Sequence, residues 1–151
     1  MKGRVIVIGG GAAGLMAAGC ASRRGLDVII YDKNTRPGRK LMITGKGRCN
    51  LTNNCDIQTL IANIVHGGKF LYSAFSAFDT SDTMVSFEKL GVPLKTERGR
   101  RVFPQSDRAA DIVDALKRFT DKSGAAYKNS EISDIIINDR AVKGIITSAG
   151  E

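Results

Sequence analysis

The chain has no apolar run long enough to cross a bilayer: its longest, Val5 to Ile8, falls far short of the roughly twenty residues a membrane helix needs. No basic start followed by a long apolar segment and a cleavage site appears either, so the chain is expected to be cytoplasmic and without a membrane partner. Histidine is nearly absent. His66 is the single one, it stands beside Gly67 and Gly68 with no partner motif, and a surface or loop role suits it better than catalysis. Cysteine is scarce as well. Cys20, Cys49 and Cys55 are odd in number and lack the C-x2-C spacing of a zinc site, so reduced thiols are expected and no metal site is. Internal repeats, low-complexity tracts and linkers are also missing.

What remains is an ordinary folding sequence. With 42% hydrophobic and 25% charged residues it lies far from disordered compositions, and 151 residues suit one domain better than two. The net charge of +8 favours anionic partners. Nucleic acid, a dinucleotide pyrophosphate and an acidic neighbouring domain all remain open on charge alone.

Val5 to Ile8 is the run expected of a central parallel strand covered on both faces. Small and helix-favouring residues follow from Ala12 to Arg24, with Gly25 placed to end the helix, and Val28 to Tyr31 gives a second strand closed by Asp32. Strand, glycine turn, helix and strand form a βαβ unit with two adjacent parallel strands. From Asp32 to Asn54 no period is evident. This stretch reads as an ordered, ligand-contacting loop without elements of its own, held by packing of Leu41, Met42, Ile43 and Leu51.

Asp56 is placed to cap a helix with Ile57, Leu60, Ile61 and Ile64 on its face, and Thr80 or Ser81 to cap another that carries Met84, Val85, Phe87 and Leu90 and stops at Gly91. Phe70, Leu71, Tyr72, Phe75 and Phe78 between them read as plain core. Leu94 to Thr96 and Arg101 to Phe103 form a hairpin about Gly99, with Arg98, Arg100 and Arg101 at an exposed tip and Pro104 ending it. Ser106 then caps a helix with Asp107 and Asp111 in its first turn and Ile112, Val113, Leu116 and Phe119 on one face, closed near Gly124. Ala126 to Lys128 reads as the next parallel strand. Ile132 to Ile137 and Val142 to Thr147 alternate around Asn138-Asp139-Arg140 as an antiparallel meander. A last turn signal, Ala149-Gly150-Glu151, directly follows a strand, and the chain is therefore expected to be a fragment of a longer polypeptide.

Gly9-Gly10-Gly11-Ala12-Ala13-Gly14 matches G-x-G-x-x-G. In that pattern Gly9 permits the tight turn, Gly11 lets the backbone approach a pyrophosphate, and Gly14 lets the helix lie close to the sheet. Free amides at the helix start, Ala12 and Ala13 among them, attract phosphate together with the helix dipole. Asp32, ending the next strand, would accept hydrogen bonds from ribose hydroxyls and repel a 2′-phosphate, so FAD or NAD fits better than NADP. Arg36, Arg39, Lys40, Lys46 and Arg48 add cations in one stretch that could neutralise the pyrophosphate or steady charge on a reduced flavin. A solvated loop is the alternative for them. Cys49 and Cys55 bracket five residues, not the four of flavin disulfide reductases, and read as loop packing and a plain thiol. Cys20, on the small-residue helix, reads as core.

Residues 38 to 53, containing ITGKGRCNLTN, together with the opening IGGGAAGLMAA, FLYSAF at 70 to 75, LGVPLKTE from 90 and GRRVFPQSDRAADIVDAL from 99, resemble the BaiN-type (YhiN-like) bacterial flavoproteins. These are known as NAD(P)/FAD-dependent oxidoreductases or aminoacetone-oxidase-family FAD-binding enzymes. The resemblance implies an α/β fold: a Rossmann-like FAD/NAD(P)-binding domain of the glutathione-reductase type, a parallel sheet with a β-meander. Residues 1–151 would be its N-terminal part, incomplete at the C-terminus, with the rest of the parent polypeptide as a partner. It implies FAD as cofactor, NAD(P)H as a possible electron donor, and a small-molecule substrate. Gly9, Gly11, Ala12, Ala13, Gly14, Asp32, Lys33, Arg39 and Lys40 would contact the cofactor, Gly45, Lys46, Gly47, Arg48, Cys49 and Asn50 would lie along the flavin, and the backbone of Ile132 would pass the adenine. Many enzymes of this type carry glutamate where Asp32 stands. No catalytic acid or base is identified. No nucleic-acid partner is expected on this reading; a flavin-coupled disulfide reductase and a basic nucleic-acid-binding module stand as alternatives, the latter on charge only.

Overall fold

The computed structural model describes residues 4–150, so Glu151 of the last turn signal lies outside the described residues. The chain divides into two compact units, one built from Met1–Lys40 and Leu116–Glu151, the other from Leu41–Ala115.

In the first unit β1 (Arg4–Ile8), α1 (Ala12–Arg23) and β2 (Asp27–Asp32) form the βαβ unit expected from the sequence. Arg4 to Ile8 pair in parallel with Asp27 to Tyr31. Gly25 takes a φ of +82°, the left-handed conformation that stops α1. β6 (Ala126–Asn129) pairs in parallel with the other side of β2, Ile30 opposite Tyr127 and Asp32 opposite Asn129. The order is therefore β1, β2, β6. This corrects the expectation for β1. Among the described residues the central strand is β2, with Val28 and Ile30 buried, whereas β1 lies at the end of the sheet and leaves Ile8 half exposed. An apolar run marks a strand that packs, and does not by itself say where in the sheet it lies.

α1 packs on the C-terminal half of α6 (Ala109–Lys122) through small residues. Thr120 Oγ1 donates to the Leu15 carbonyl at 3.2 Å, and a methyl group at Gly19 would stand 2.2 Å from the Phe119 ring. Leu15, Ala18, Leu116 and Thr120 are buried there. Cys20 is half-buried, not core as expected, because that face of α1 is only partly covered. β7 (Ile132–Asn138) and β8 (Ala141–Thr147) form a two-stranded antiparallel sheet of their own, with β6 remaining in the parallel sheet. Asp139 and Arg140 both take positive φ, as a two-residue hairpin turn of this hand requires.

In the second unit, α2 (Arg39–Ile43, which begins in the first unit), a 3-10 turn over Thr44–Gly47, and β3 (Thr52–Asn53) occupy the stretch read as elementless loop. They are too short to show a period in sequence. Met42 and Ile43 are exposed there and do not pack. α3 (Ile57–Ala62) is capped by Asp56, whose carboxylate accepts from Thr59 N at 2.7 Å. α4 (Tyr72–Ala77) and α5 (Thr80–Lys89) follow. The cap of α5 is Asp79, in a reciprocal box with Asp82. Thr80 instead turns its hydroxyl inward to the Cys55 carbonyl at 2.6 Å, so neither Thr80 nor Ser81 caps. The aromatic segment is not core: Phe70 is 88% exposed, and Tyr72 and Phe78 also face outward.

β4 (Leu94–Glu97) and β5 (Arg101–Pro104) form the expected hairpin about Gly99 (φ +75°), and β3 adds to the other side of β5. Arg98, Arg100 and Arg101 are exposed at its tip. α6 begins at Ala109, two residues later than a Ser106 cap would place it, and Asp107, at φ +58°, lies outside the helix. Ser106 Oγ donates to Asp111 and accepts weakly from Arg108 N, so it braces the first turn without being its cap. Phe87, Val92, Val102, Phe103, Ile112 and Val113 fill this unit's core.

Candidate functional site

The glycine turn joins β1 to α1. Gly9 adopts φ +100° and its amide donates to the Tyr31 carbonyl at 2.7 Å, binding the turn to the end of β2. A side chain at Gly14 would begin 1.9 Å from the Gly9 carbonyl oxygen, so only glycine lets α1 come this near β1. Gly11 is different. Its backbone is extended, φ −79° and ψ −172°, a conformation open to any residue. A methyl group there would meet nothing within 4 Å. The chain's own packing does not require glycine at this position, and the space beside the backbone is open. No side chain caps α1, so the first-turn amides of Ala12, Ala13 and Gly14 have no acceptor within the helix. Open space beside free amides at the positive end of a twelve-residue helix fits an incoming diphosphate.

Asp32 stands at the end of β2 facing this turn. Its Oδ2 accepts from Gly10 N at 2.6 Å, and its Oδ1 accepts from both the backbone and the side-chain nitrogen of Asn34 at 2.7 Å. Partial burial alone would raise its pKa. The hydrogen bonds from Asn34 and Gly10, with the charge of Lys33, outweigh burial and hold the carboxyl below the ordinary aspartate value. Asp32 is therefore a fixed carboxylate at neutral pH. Beside it opens a cavity of about 250 Å³ lined by Ile8, Gly9, Tyr31, Asp32, Lys33, Asn34, Ser130, Glu131 and Ile132. Of the residues expected from the sequence, Gly9, Asp32, Lys33 and Ile132 thus share one cavity. Lys33 also reaches Glu131 across it at 3.6 Å. Arg39 donates to the Asn34 side-chain oxygen at 2.7 Å, one step removed from Asp32, and Lys40 is exposed.

Three contributors escaped the sequence reading. Gly10, an unconstrained position in G-x-G-x-x-G, links Asp32 through its amide and Gly38 through its carbonyl. Asn34 gives two hydrogen bonds to the one oxygen Asp32 Oδ1, and a short polar residue two positions past an acid is a turn signal that could have flagged it. Tyr127 donates its hydroxyl to the Asn34 carbonyl at 2.7 Å from β6, a contact no local pattern announces. Burial first, and then the charge of Asp32, raise its pKa, so the phenol stays protonated as a donor.

In the second unit the loop of residues 45 to 50 is held by its own surroundings. Gly45, Lys46, Gly47 and Cys49 all take positive φ. Arg48 lies over the Phe103 ring at 4.1 Å from its centre and donates to Glu97 at 2.5 Å and to Asp107 at 2.6 Å. Lys95 joins Asp107 at 2.6 Å. Arg48 holds the Glu97 carboxyl below its usual range, and Lys95 then Arg48 do the same for Asp107. Cys49 is buried, and that burial pushes its thiol up. A raised thiol pKa leaves little thiolate at neutral pH. The Asn50 side-chain amide donates to the Val102 and Thr52 carbonyls.

Residues 3–151 match the family described as "HI0933-like protein Rossmann domain". The chain is 36% identical over 118 residues to the 3-dehydro-bile acid delta(4,6)-reductase of Clostridium scindens, covering 76% of this chain and 28% of that protein. It is 30% identical over 145 residues to the ribosomal RNA dihydrouridine synthase of Haemophilus influenzae, covering 93% of this chain and 35% of the relative. It therefore spans about a third of the length of these curated relatives. Among solved structures, a quinol-fumarate reductase with menaquinol molecules superposes with a TM-score of 0.67 at 16% identity, covering 97% of this chain and 30% of that one, a likeness of fold. The α/β, Rossmann-like architecture expected from the sequence is borne out. No helix among the described residues is long and apolar enough to cross a membrane.

Proposed function

The chain belongs to the HI0933-like Rossmann-domain family, and from that premise we propose that it is the FAD-binding portion of a flavin-dependent oxidoreductase. The observation that carries this reading is Gly11: an unconstrained backbone position, with empty space beside it, at the uncapped start of α1 and near an anchored carboxylate. The first-turn amides would hold the diphosphate, and the remaining lone pairs of Asp32 would receive the adenosine ribose hydroxyls. Lys33 and the backbone of Ile132 border the cavity that would take the adenosine. For Gly45, Lys46, Gly47, Arg48, Cys49 and Asn50, family resemblance alone supports contact with the cofactor.

When bound, FAD supplies hydride and electron transfer. The names of the two relatives share a chemistry, hydrogenation of a carbon–carbon double bond. The substrate class proposed for this chain's parent enzyme is accordingly a small molecule with an electron-poor double bond, with NAD(P)H as donor and a cytoplasmic setting. The second reading is a uridine within RNA. The net charge of +8 favours it, because most of that surplus falls in the first unit, where Arg23, Arg24, Lys122 and Lys128 are exposed.

Purified protein should carry a yellow flavin spectrum that bleaches anaerobically with NADH or NADPH and recovers on adding a conjugated enone. Protein that takes up no flavin when supplied with FAD overturns the proposal. Recovery with a uridine-containing RNA fragment and not with the enone, together with RNA affinity that falls steeply with salt, would move the substrate to the second reading.

A further inference from the structure

Tyr127 lies in β6, outside the glycine pattern, yet it touches both halves of the candidate nucleotide site. Its register opposite Ile30 places it one strand away from the end of β2. From there its hydroxyl donates to the Asn34 carbonyl at 2.7 Å. Asn34 in turn gives two hydrogen bonds to Asp32 Oδ1. The ring meanwhile lies against the glycine turn: a methyl group at Gly10 would stand 2.8 Å from Tyr127 Cε2, 3.3 Å from its hydroxyl and 3.2 Å from Asp32 Oδ2. Gly10 has no left-handed backbone to explain its identity. The neighbours of Gly10 explain it. One aromatic side chain thus lies against both Gly10 and Asn34, the two residues whose N–H groups hold the carboxylate.

We infer that Tyr127 is a positioning residue that aims the Asp32 carboxylate at the adenosine ribose. The inference rests on the FAD reading above. Without the phenol, Asn34 loses the bond that anchors its backbone, and Asp32 Oδ1 follows it. Without the ring, Gly10 is free to lift, and Asp32 Oδ2 loses its partner. Tyr127 need not touch the cofactor to act.

The experiment compares affinity for FAD with affinity for an FAD analogue lacking the adenosine 2′-hydroxyl, in the full protein and in Tyr127→Phe. The wild type should prefer FAD. The variant keeps the ring and the fold but should lose about fivefold in FAD affinity, the size of one hydrogen bond, with no loss for the analogue, so that the preference itself shrinks. A role in packing alone would weaken both ligands equally, and that result overturns the inference. A second arm places Gly10→Ala in the wild type and in Tyr127→Leu. The methyl group should cost about tenfold or more in FAD affinity beside tyrosine and much less beside leucine, whereas equal costs in both backgrounds count against the proposed contact. A wild type that binds no adenine dinucleotide sinks the functional reading and this inference together. Normal binding with unchanged preference in Tyr127→Phe sinks the inference alone.

Discussion

The two glycine-rich turns of this chain use the same residue for opposite ends. In the turn of residues 9 to 14, where Gly10 and Gly14 are closely packed, Gly11 keeps room that nothing in the chain fills, with no neighbour within 4 Å of where a side chain would start. In the turn of residues 45 to 49 the room beside Gly45 is already taken. A methyl group at Gly45 would stand 2.9 Å from Asn50 N and 3.1 Å from Phe103, and Arg48 is committed to Glu97, Asp107 and the Phe103 ring. The first turn keeps open space beside Gly11, and the second is packed at Gly45 by its own neighbours. A glycine cluster therefore says little until the surroundings of each glycine are known.

The strongest way to break this contrast is inside the first turn itself. Gly14→Val forces α1 away from the Gly9 carbonyl, and urea unfolding should show a loss of about 3 kcal/mol or more. If stability is kept, the close approach of α1 to β1 is not what Gly14 provides. Gly11→Ser sharpens the contrast from the other side. Serine suits a helix start, so stability should stay within about 1 kcal/mol, while FAD affinity drops by about tenfold or more. An unaltered affinity would mean that the open space receives no ligand.

The smallest effect comes from acid. Asp32, Glu97 and Asp107 all have lowered pKa values. Each contributes stability that is fully present above the ordinary carboxylate range near pH 4, roughly, and that is lost as pH falls through the depressed folded value. Amide protection around Gly10 and around residues 45 to 50, taken relative to the intrinsic exchange rate at each pH, should fall only below that range, and modestly, since solvent screens both groups. Loss of protection in either segment nearer neutrality would contradict the hydrogen bonding described for it.

The βαβ unit, the glycine turn, Asp32, the β4–β5 hairpin and the β7–β8 hairpin were legible in the sequence because each is written in local spacing. Gly9 and Gly14 were read correctly for the same reason. What stayed hidden depends on partners distant in sequence. Tyr127 looks like any strand tyrosine until the β2–β6 register sets it over Gly10. Arg48 read as a cation for the cofactor, and its two carboxylates, which no local spacing announces, come from β4 and from the bend before α6. Phe70 followed the average behaviour of its residue type, and this fold leaves it outside. Asp79 won the cap of α5 over its hydroxyl neighbours because Thr80 is turned inward to Cys55.

The bond from Tyr127 to Asn34 joins residues 93 apart in the chain, which bears on the order of assembly. Hairpin β7–β8 turns through two residues and can zip within microseconds, and β1, α1 and β2 are contiguous. Docking β6 against β2 must close a far longer loop, an event that is slow for entropic reasons. The hydrogen bonds that hold Asp32 are expected to be completed late in folding, so a nascent chain would present the uncapped start of α1 well before that carboxylate is fixed.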